Sequence, residues 1–384
     1  MKYFLIAGEA SGDIHAGQLI KSLCERDHDA EFRFFGGNLM ASAAGVQPIV
    51  HYRDMAYMGF VEVIKHLGTI LGFLKTAKRC IDEYKPDAVV LVDYPSFNLK
   101  VAKYAHRHGV PVFYFISPKV WAWKEYRVRQ IKRYVTELYS ILPFEVDFYE
   151  KRHHYKVEYV GNPTVKEISE AQKTFRDAAQ FRSDNGLPAE GDIVAVLPGS
   201  RLKEIADNLP TMVRGGEMFD NCHLVIAGAP NVDEELYRKV LADGGGRRVD
   251  YPIVFGQTFE LVHHSRVALV TSGTATLEAA VIGTPQVVCY RMNGSKLLYN
   301  IYKHLLKVKY VSLPNLIVDA PIVEELLLHN CDEGAVCLNM ERLLNDSCHR
   351  KAVLAGYAEM RQRLGSSDCT DEAAKRIVGK LCAK

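Results

Sequence analysis

Short apolar runs recur along this chain, and between them the apolar positions spread out to a helical period. In the first half the runs fall at 3–7, 32–35, 89–93, 112–116, 137–141 and 158–160. Helical spacing fills 13–27, 70–84, 97–108, 124–134 and 144–151. A strand that stays apolar without alternating is buried on both faces, as happens when helices cover a parallel sheet. The alternation therefore predicts an α/β domain over 1–165. At 166–192 the rhythm breaks in a polar stretch with Gln172, Lys173, Arg176, Asp177, Arg182, Asp184 and Asn185, closing on Gly186-Leu-Pro188. That stretch is expected to be a linker. Runs at 193–197, 223–227, 253–255, 267–271 and 286–289 predict a second domain over 193–340, and 341–384 reads as helices packing back across the domains. The expected fold class is α/β, two Rossmann-like parallel-sheet domains facing a cleft. Open sheets of this kind bind ligands at the carboxyl ends of their strands.

Composition narrows the partners more than the fold. A length of 384 residues suits two domains with full cores. Lys+Arg 48 against Asp+Glu 46 leaves +2, so the global field recruits neither nucleic acid nor membrane, and any such attraction is local. Nine cysteines at irregular spacing, without a C-x-x-C, suit reduced thiols in the cytoplasm. The run at 3–7 is too short for a signal peptide's apolar part, and no apolar stretch reaches the ~20 residues of a spanning helix. A cytoplasmic protein is expected, or one attached to a membrane from that side.

Two small-residue turns carry the strongest chemical signal. Leu197-Pro-Gly199-Ser200-Arg201 and Ser272-Gly273-Thr274-Ala275-Thr276-Leu-Glu278 each leave an apolar run and enter a helical pattern. Such a turn points backbone N–H groups at a helix N-terminus, where an anion is favoured. Arg201 adds a charge whose fork matches a phosphate. Glu278, four residues past Thr274, could accept hydrogen bonds from a ribose. Together they suggest a nucleoside diphosphate site. The first turn, Gly8-Glu9-Ala-Ser11-Gly12-Asp13, does not fit the Gly-x-Gly-x-x-Gly dinucleotide pattern, which argues against a dehydrogenase.

Within that first turn Ser11 or Asp13 is expected to cap the following helix, while Glu9 is free to face a ligand. Asp93 ends the run 88–92 with Tyr94-Pro95 behind it. A carboxylate at a strand tip is partly desolvated, which moves its pKa toward that of a general base; the alternative is a cap for the next helix. Lys119, Lys124, Arg127, Arg129, Lys132 and Arg133 gather around Trp121 and Trp123 with only Glu125 opposing them. No RNA-binding signature accompanies them, so nucleic acid is not expected, and a phosphate-bearing or membrane partner stays open. In 58–74 the residues Val61, Val63, Ile64, Leu67, Ile70, Leu71, Phe73 and Leu74 cover more than one helical face, as a core helix or a membrane-dipping lip would. Residues 291–310 interleave Arg291, Lys296, Lys303, Lys307 and Lys309 with leucines and no acid, a pattern suited to an anionic lipid surface. Asp27-His-Asp29 precedes the second run, at the wrong end of the sheet for a metal–diphosphate. Neither a metal nor an organic cofactor is expected.

Several blocks together resemble the lipid-A-disaccharide synthase family. They are the 8–13 turn, Met58-Gly-Phe-Val-Glu-Val63, Ser117-Pro-Lys-Val-Trp-Ala-Trp123, Leu142-Pro-Phe-Glu145, the 197–201 turn with Glu204, the 272–278 turn, and Tyr310-Val-Ser-Leu-Pro-Asn315. The resemblance implies the two-domain GT-B glycosyltransferase fold. It implies transfer from UDP-2,3-diacylglucosamine to 2,3-diacylglucosamine 1-phosphate, with inversion and release of UDP, at the cytoplasmic face of the inner membrane. Under it Asp93, Glu9, Arg201 and Asn315 are the catalytic positions, and 61–74 is the membrane-facing segment. UDP falls to Gly199, Ser200, Arg201, Ser272, Gly273, Thr274, Ala275, Thr276 and Glu278. Ser96 and Asn162 depart from the family's usual residues. Competing readings are a UDP-GlcNAc 2-epimerase or other soluble GT-B enzyme, and a non-catalytic lipid-binding protein. An exchanged C-terminal helix could make a homodimer, though nothing in the sequence requires one.

Overall fold

The computed structural model describes residues 1–55, 67–244, 246–291 and 309–383. The chain forms two compact units, 1–163 with 366–384, and 164–365. In the first, β1 (Lys2–Ala7), β2 (Glu31–Gly36), β3 (Val50–His51), β4 (Ala88–Val92), β5 (Val112–Phe115), β6 (Glu137–Ser140) and β7 (Glu158–Tyr159) line up as β3-β2-β1-β4-β5-β6-β7. All these pairings are parallel, with Ile6 opposite Leu91 and Val90 opposite Phe113. Alternate residues of the central strands feed opposite faces. Phe4, Ile6, Val89, Leu91 and Tyr114 join one core, and Tyr3, Leu5, Val90, Val92 and Phe113 join the other. That double burial is why these strands read as unbroken apolar runs.

The second unit holds β8 (Asp192–Leu197), β9 (Cys222–Gly228), β10 (Ile253–Phe255), β11 (Val267–Val270), β12 (Gln286–Tyr290) and β13 (Glu324–Leu327) in the order β10-β9-β8-β11-β12-β13, again all parallel. β3 and β13 are absent from the expected strands. Both are edge strands, one of two residues and the other opening on Glu324-Glu325, so neither carries an apolar run.

Two boundary expectations need correction. The supposed linker 166–192 carries helices Pro163–Gln172 and Ala178–Asp184, both in or entering the second unit. Its polar residues are structural: Arg176 donates to Glu260 and pairs with Asp184 at 2.7 Å, while Phe181 is fully buried. The C-terminal helices also divide. Glu333–Asn345 and Ser347–Leu364 belong to the second unit, whereas Cys369–Cys382 belongs to the first. There Ala373, Ala374 and Ile377 enter the core, and Arg26 holds Asp371 through its Nε at 3.0 Å.

Of the expected membrane lip, Val61, Val63 and Ile64 lie outside the described residues. Leu67 opens helix Leu67–Tyr84. Ile70, Phe73 and Leu74 pack against the first unit's core, a correction to their expected lipid contact, while Leu71 is 51% exposed. In the basic stretch, Lys296, Lys303 and Lys307 lie outside the described residues. Arg291 turns inward to Thr211 Oγ1 at 2.8 Å, and Lys309 reaches Asp319 at 3.5 Å. Among the described residues no helix is long and apolar enough to cross a membrane.

Candidate active site

Each sheet reverses its strand order once, between β1 and β4 in the first unit and between β8 and β11 in the second. Loops leaving adjacent strands there diverge and open a crevice at the carboxyl edge. Glu9 follows β1, Asp93 follows β4, Gly199 to Arg201 follow β8, and Ser272 to Glu278 follow β11. Of the residues expected to carry chemistry, Glu9, Asp93, Arg201 and the 272–278 turn sit where the topology opens each sheet, whereas Asn315 lies in helix Leu313–Val318.

In the first unit Asp93 and Tyr94 are both left-handed, at φ 42° and 47°. Outside glycine such backbone costs of order 1–3 kcal/mol per residue and persists only where its surroundings enforce it. Here the Asp93 carbonyl accepts Tyr114 Oη–H at 2.5 Å and Asn98 Nδ2–H at 2.7 Å, and Tyr94 donates to the Met55 carbonyl at 2.9 Å. The Tyr94 ring lies over Gly8, where a Cβ would stand 2.4 Å from it, so only glycine fits. Tyr94, not Asp93, is the N-cap residue of helix Pro95–Arg107, and the Asp93 carboxylate accepts the Tyr94 N–H. Burial raises the Asp93 pKa, the Glu9 charge adds to that rise, and the Lys119 charge opposes it. Glu9 is the N-cap residue of helix Ala10–Arg26 by position but makes no cap bond. The expected cap from Ser11 or Asp13 is corrected: Asp13 instead accepts Gly37 N–H at 2.7 Å and Met40 N–H at 3.2 Å, capping the next helix, Asn38–Ala44. Asp27 accepts Tyr3 Oη–H at the opposite edge of the sheet.

In the second unit a cavity of about 640 Å³ opens at the ends of β8 and β11, a size that suits a small organic ligand. Gly199 and Ser200 line it on one side, and Ser272, Gly273, Thr274, Ala275 and Glu278 on the other. No side chain caps helix Thr274–Ile282, so its first turn offers an anion site. Across from it, Gly199 is at φ 114°, and a Cβ there would meet Glu204 at 2.7 Å. The Glu204 carboxylate accepts Ser200 N–H at 3.3 Å and Arg201 Nη1–H at 2.9 Å. Glu278 is half-buried, and burial, then the Glu167 charge, push its carboxyl up to about 7.

Three expected ligand residues do not line the cavity. Arg201 is not among the cavity residues; its side chain is 67% exposed beside Glu204. Thr276 is fully buried, donating its hydroxyl to the Gly273 carbonyl at 2.8 Å, so it shapes the turn. Asn315 is buried too: Nδ2 donates to the Val323 carbonyl at 2.9 Å and Glu325 at 2.8 Å, while Oδ1 accepts Val323 N–H at 2.9 Å.

A Lipid-A-disaccharide synthetase family model matches residues 3–378. The chain belongs to the lipid-A-disaccharide synthase family. The lipid-A-disaccharide synthase of Myxococcus xanthus is 37% identical over 99% of this chain and 97% of its own length. That of Geobacter metallireducens is 33% identical over 100% and 98%. Among solved structures, the Neisseria meningitidis UDP-GlcNAc 2-epimerase bound to UDP-GlcNAc aligns over 100% of both chains with a TM-score of 0.67 and 14% identity. The glycotransferase of kitacinnamycin covers 99% and 98% at 0.62 and 14%. At that identity these two establish the GT-B fold alone, and family membership decides for a glycosyltransferase over an epimerase or a non-catalytic binder.

The synthase motifs whose purpose was not legible beforehand are those that hold loops. Glu145 of the 142–145 block is buried and accepts Trp121 Nε1–H at 2.8 Å and the Ser140 hydroxyl, tying two motif blocks together. Glu204, four residues from Ser200, folds the 197–201 turn; its spacing was the available signal. Glu167 had none, because only the fold brings it near Glu278.

Proposed function

We propose that the chain joins UDP-2,3-diacylglucosamine to 2,3-diacylglucosamine 1-phosphate, inverting the donor's anomeric centre and releasing UDP and a lipid A disaccharide 1-phosphate. The observation that carries this reading is Asp93, a desolvated carboxyl held in a left-handed turn at the β1/β4 reversal. Its raised pKa suits a base that takes the proton from the acceptor's 6-hydroxyl as that oxygen attacks. Glu9 orients the acceptor. In the second unit Gly199, Ser200 and the Ser272 to Ala275 turn hold the diphosphate, and Arg201 swings from Glu204 to meet charge on the leaving group. An exposed pair of that kind is worth ~0–1 kcal/mol, so the swing is cheap. Asn315 acts as a positioning residue. The acylated substrates place the protein at the cytoplasmic face of the inner membrane, and exposed Leu71 supports an apolar contact there.

Glu278 accepts hydrogen bonds from the ribose in its ionised form, which predicts a pH dependence. With its carboxyl at about 7, the ionised form is lost as pH falls, so UDP affinity drops below neutrality, approaching about tenfold per pH unit well below the pKa. The terminal phosphate of UDP also titrates, near ~6, and Glu278→Gln isolates the protein's share. Calorimetric UDP binding should be weaker and less pH-dependent in that variant; identical pH profiles would remove Glu278 from the ribose.

The activity itself is tested by UDP release from UDP-2,3-diacylglucosamine in detergent micelles containing EDTA, with and without the acceptor. Acceptor-dependent release with a disaccharide 1-phosphate product is expected. Turnover only of unacylated UDP-GlcNAc would overturn the lipid-linked substrates.

A further inference from the structure

The loop between β5 and helix Val128–Tyr134 holds three cations that the reaction as described leaves unused; Lys124 lies over the Trp123 ring, 3.9 Å from its centroid, which leaves Lys119 and Arg127. The loop's backbone is pinned from both sides. Ser117 is buried, with Oγ 3.1 Å from Tyr149 Oη; Val120 is buried; Trp121 is fastened to Glu145. Ile116 and Lys124, at its two ends, are left-handed at φ 64° and 56°, a conformation that non-glycine residues keep only where the surroundings enforce it. From this rigid base the Lys119 side chain projects into solvent. Among the described residues no carboxylate lies within ion-pairing distance of it, although its charge is felt at both Asp93 and Glu145.

Arg127 is the second cation. It donates to Ser96 Oγ at 2.7 Å, two residues past Tyr94, and among the described residues it has no ion-pair partner. Glu125, the one acid between 119 and 133, pairs instead with Arg152 at 2.9 Å and His153 at 3.1 Å. Because β4 lies between β1 and β5, the loops carrying Glu9, Asp93 and these two cations are neighbours at one sheet edge. Among the described residues neither cation is held by a carboxylate in an ion pair, so both can meet an anionic ligand at that edge.

We propose that Lys119 and Arg127 cradle the phosphate monoester of a sugar phosphate acceptor and so deliver its attacking hydroxyl to Asp93. This rests on the reading that the acceptor is a phosphorylated sugar. A phosphate on the anomeric carbon, gripped by an ammonium and a guanidinium, anchors the sugar ring and so limits where its exocyclic 6-hydroxyl can reach. The acceptor's phosphate and the donor's diphosphate share this chemistry, so the test separates them.

Initial rates of the full chain in micelles, varying acceptor and donor in turn, are compared for wild type, Lys119→Met, Arg127→Met and Lys119→Arg. Each methionine variant should raise the acceptor KM about tenfold or more with the donor KM unmoved, and Lys119→Arg should recover most of the loss. With an acceptor lacking the phosphate, wild type and Lys119→Met should perform alike. A rise in the donor KM instead would assign the cations to the diphosphate and overturn the cradle. So would an unmoved acceptor KM, or an effect confined to the acid limb of the kcat pH profile, which would make Lys119 only a modulator of Asp93. No acceptor-dependent UDP release by wild type itself would overturn the acceptor reading and the cradle with it, whereas release with unmoved KM in the variants would overturn the cradle alone.

Discussion

Asp93→Asn lowers kcat by about 10²–10⁴ while leaving the fold intact. The carboxyl is the only group removed, because the bonds from Tyr114 and Asn98 end on the Asp93 backbone carbonyl. Asparagine also tolerates the left-handed φ of 42° there. The melting temperature should therefore stay close to wild type, and the loss appears in turnover. Because burial and the Glu9 charge raise the Asp93 pKa, the acid limb of the wild-type kcat/KM profile lies above the ordinary carboxylate range. Activity rises with pH through that limb, since the base works ionised. Glu9→Gln removes a like charge, favours the ionised form and moves the limb to lower pH. Turnover of Asp93→Asn within tenfold of wild type would place the base elsewhere.

Arg201→Met lowers kcat by about 10²–10³, the usual cost of losing one preorganised donor to a developing negative charge. Arg201 directly follows Ser200, which lines the cavity, and is the N-cap residue of helix Leu202–Gly216. Its side chain is mostly exposed, and its ion pair among the described residues is with Glu204, so its removal disturbs no core. Unfolding should be almost unchanged, and Arg201→Lys should recover part of the rate, since an ammonium supplies the charge without the fork. Single-turnover rates with saturating donor check the prediction. A rate unchanged in Arg201→Met, with only UDP affinity reduced, would make the residue a ground-state binder.

The turns after β1, β4, β8 and β11 were readable because each is a local feature, an apolar run ending in a small or charged residue before a helix. Thr276 and Asn315 look like ligand contacts in a linear reading, since their neighbours in the motif are. Folding turns both inward, and their polar groups are satisfied by Gly273, Val323 and Glu325. Arg176 likewise reads as a linker charge until Glu260, far along the chain, comes beside it.

The sequence by itself determined the alternation of strand and helix, the parallel double-sided sheets and the loops that bear Asp93, Gly199, Ser200 and Gly273. Periodicity and turn chemistry act over a few residues and survive in a linear text. Only the tertiary structure decided which charges meet. Burial and then the Glu167 charge push the Glu278 carboxyl up, burial and then Glu9 raise Asp93 against Lys119, and buried Glu145 accepts Trp121 Nε1–H. It also decided that helix Cys369–Cys382 completes the first unit. Desolvation and Coulomb forces depend on distance through space, and strand order, not position in the chain, sets that distance.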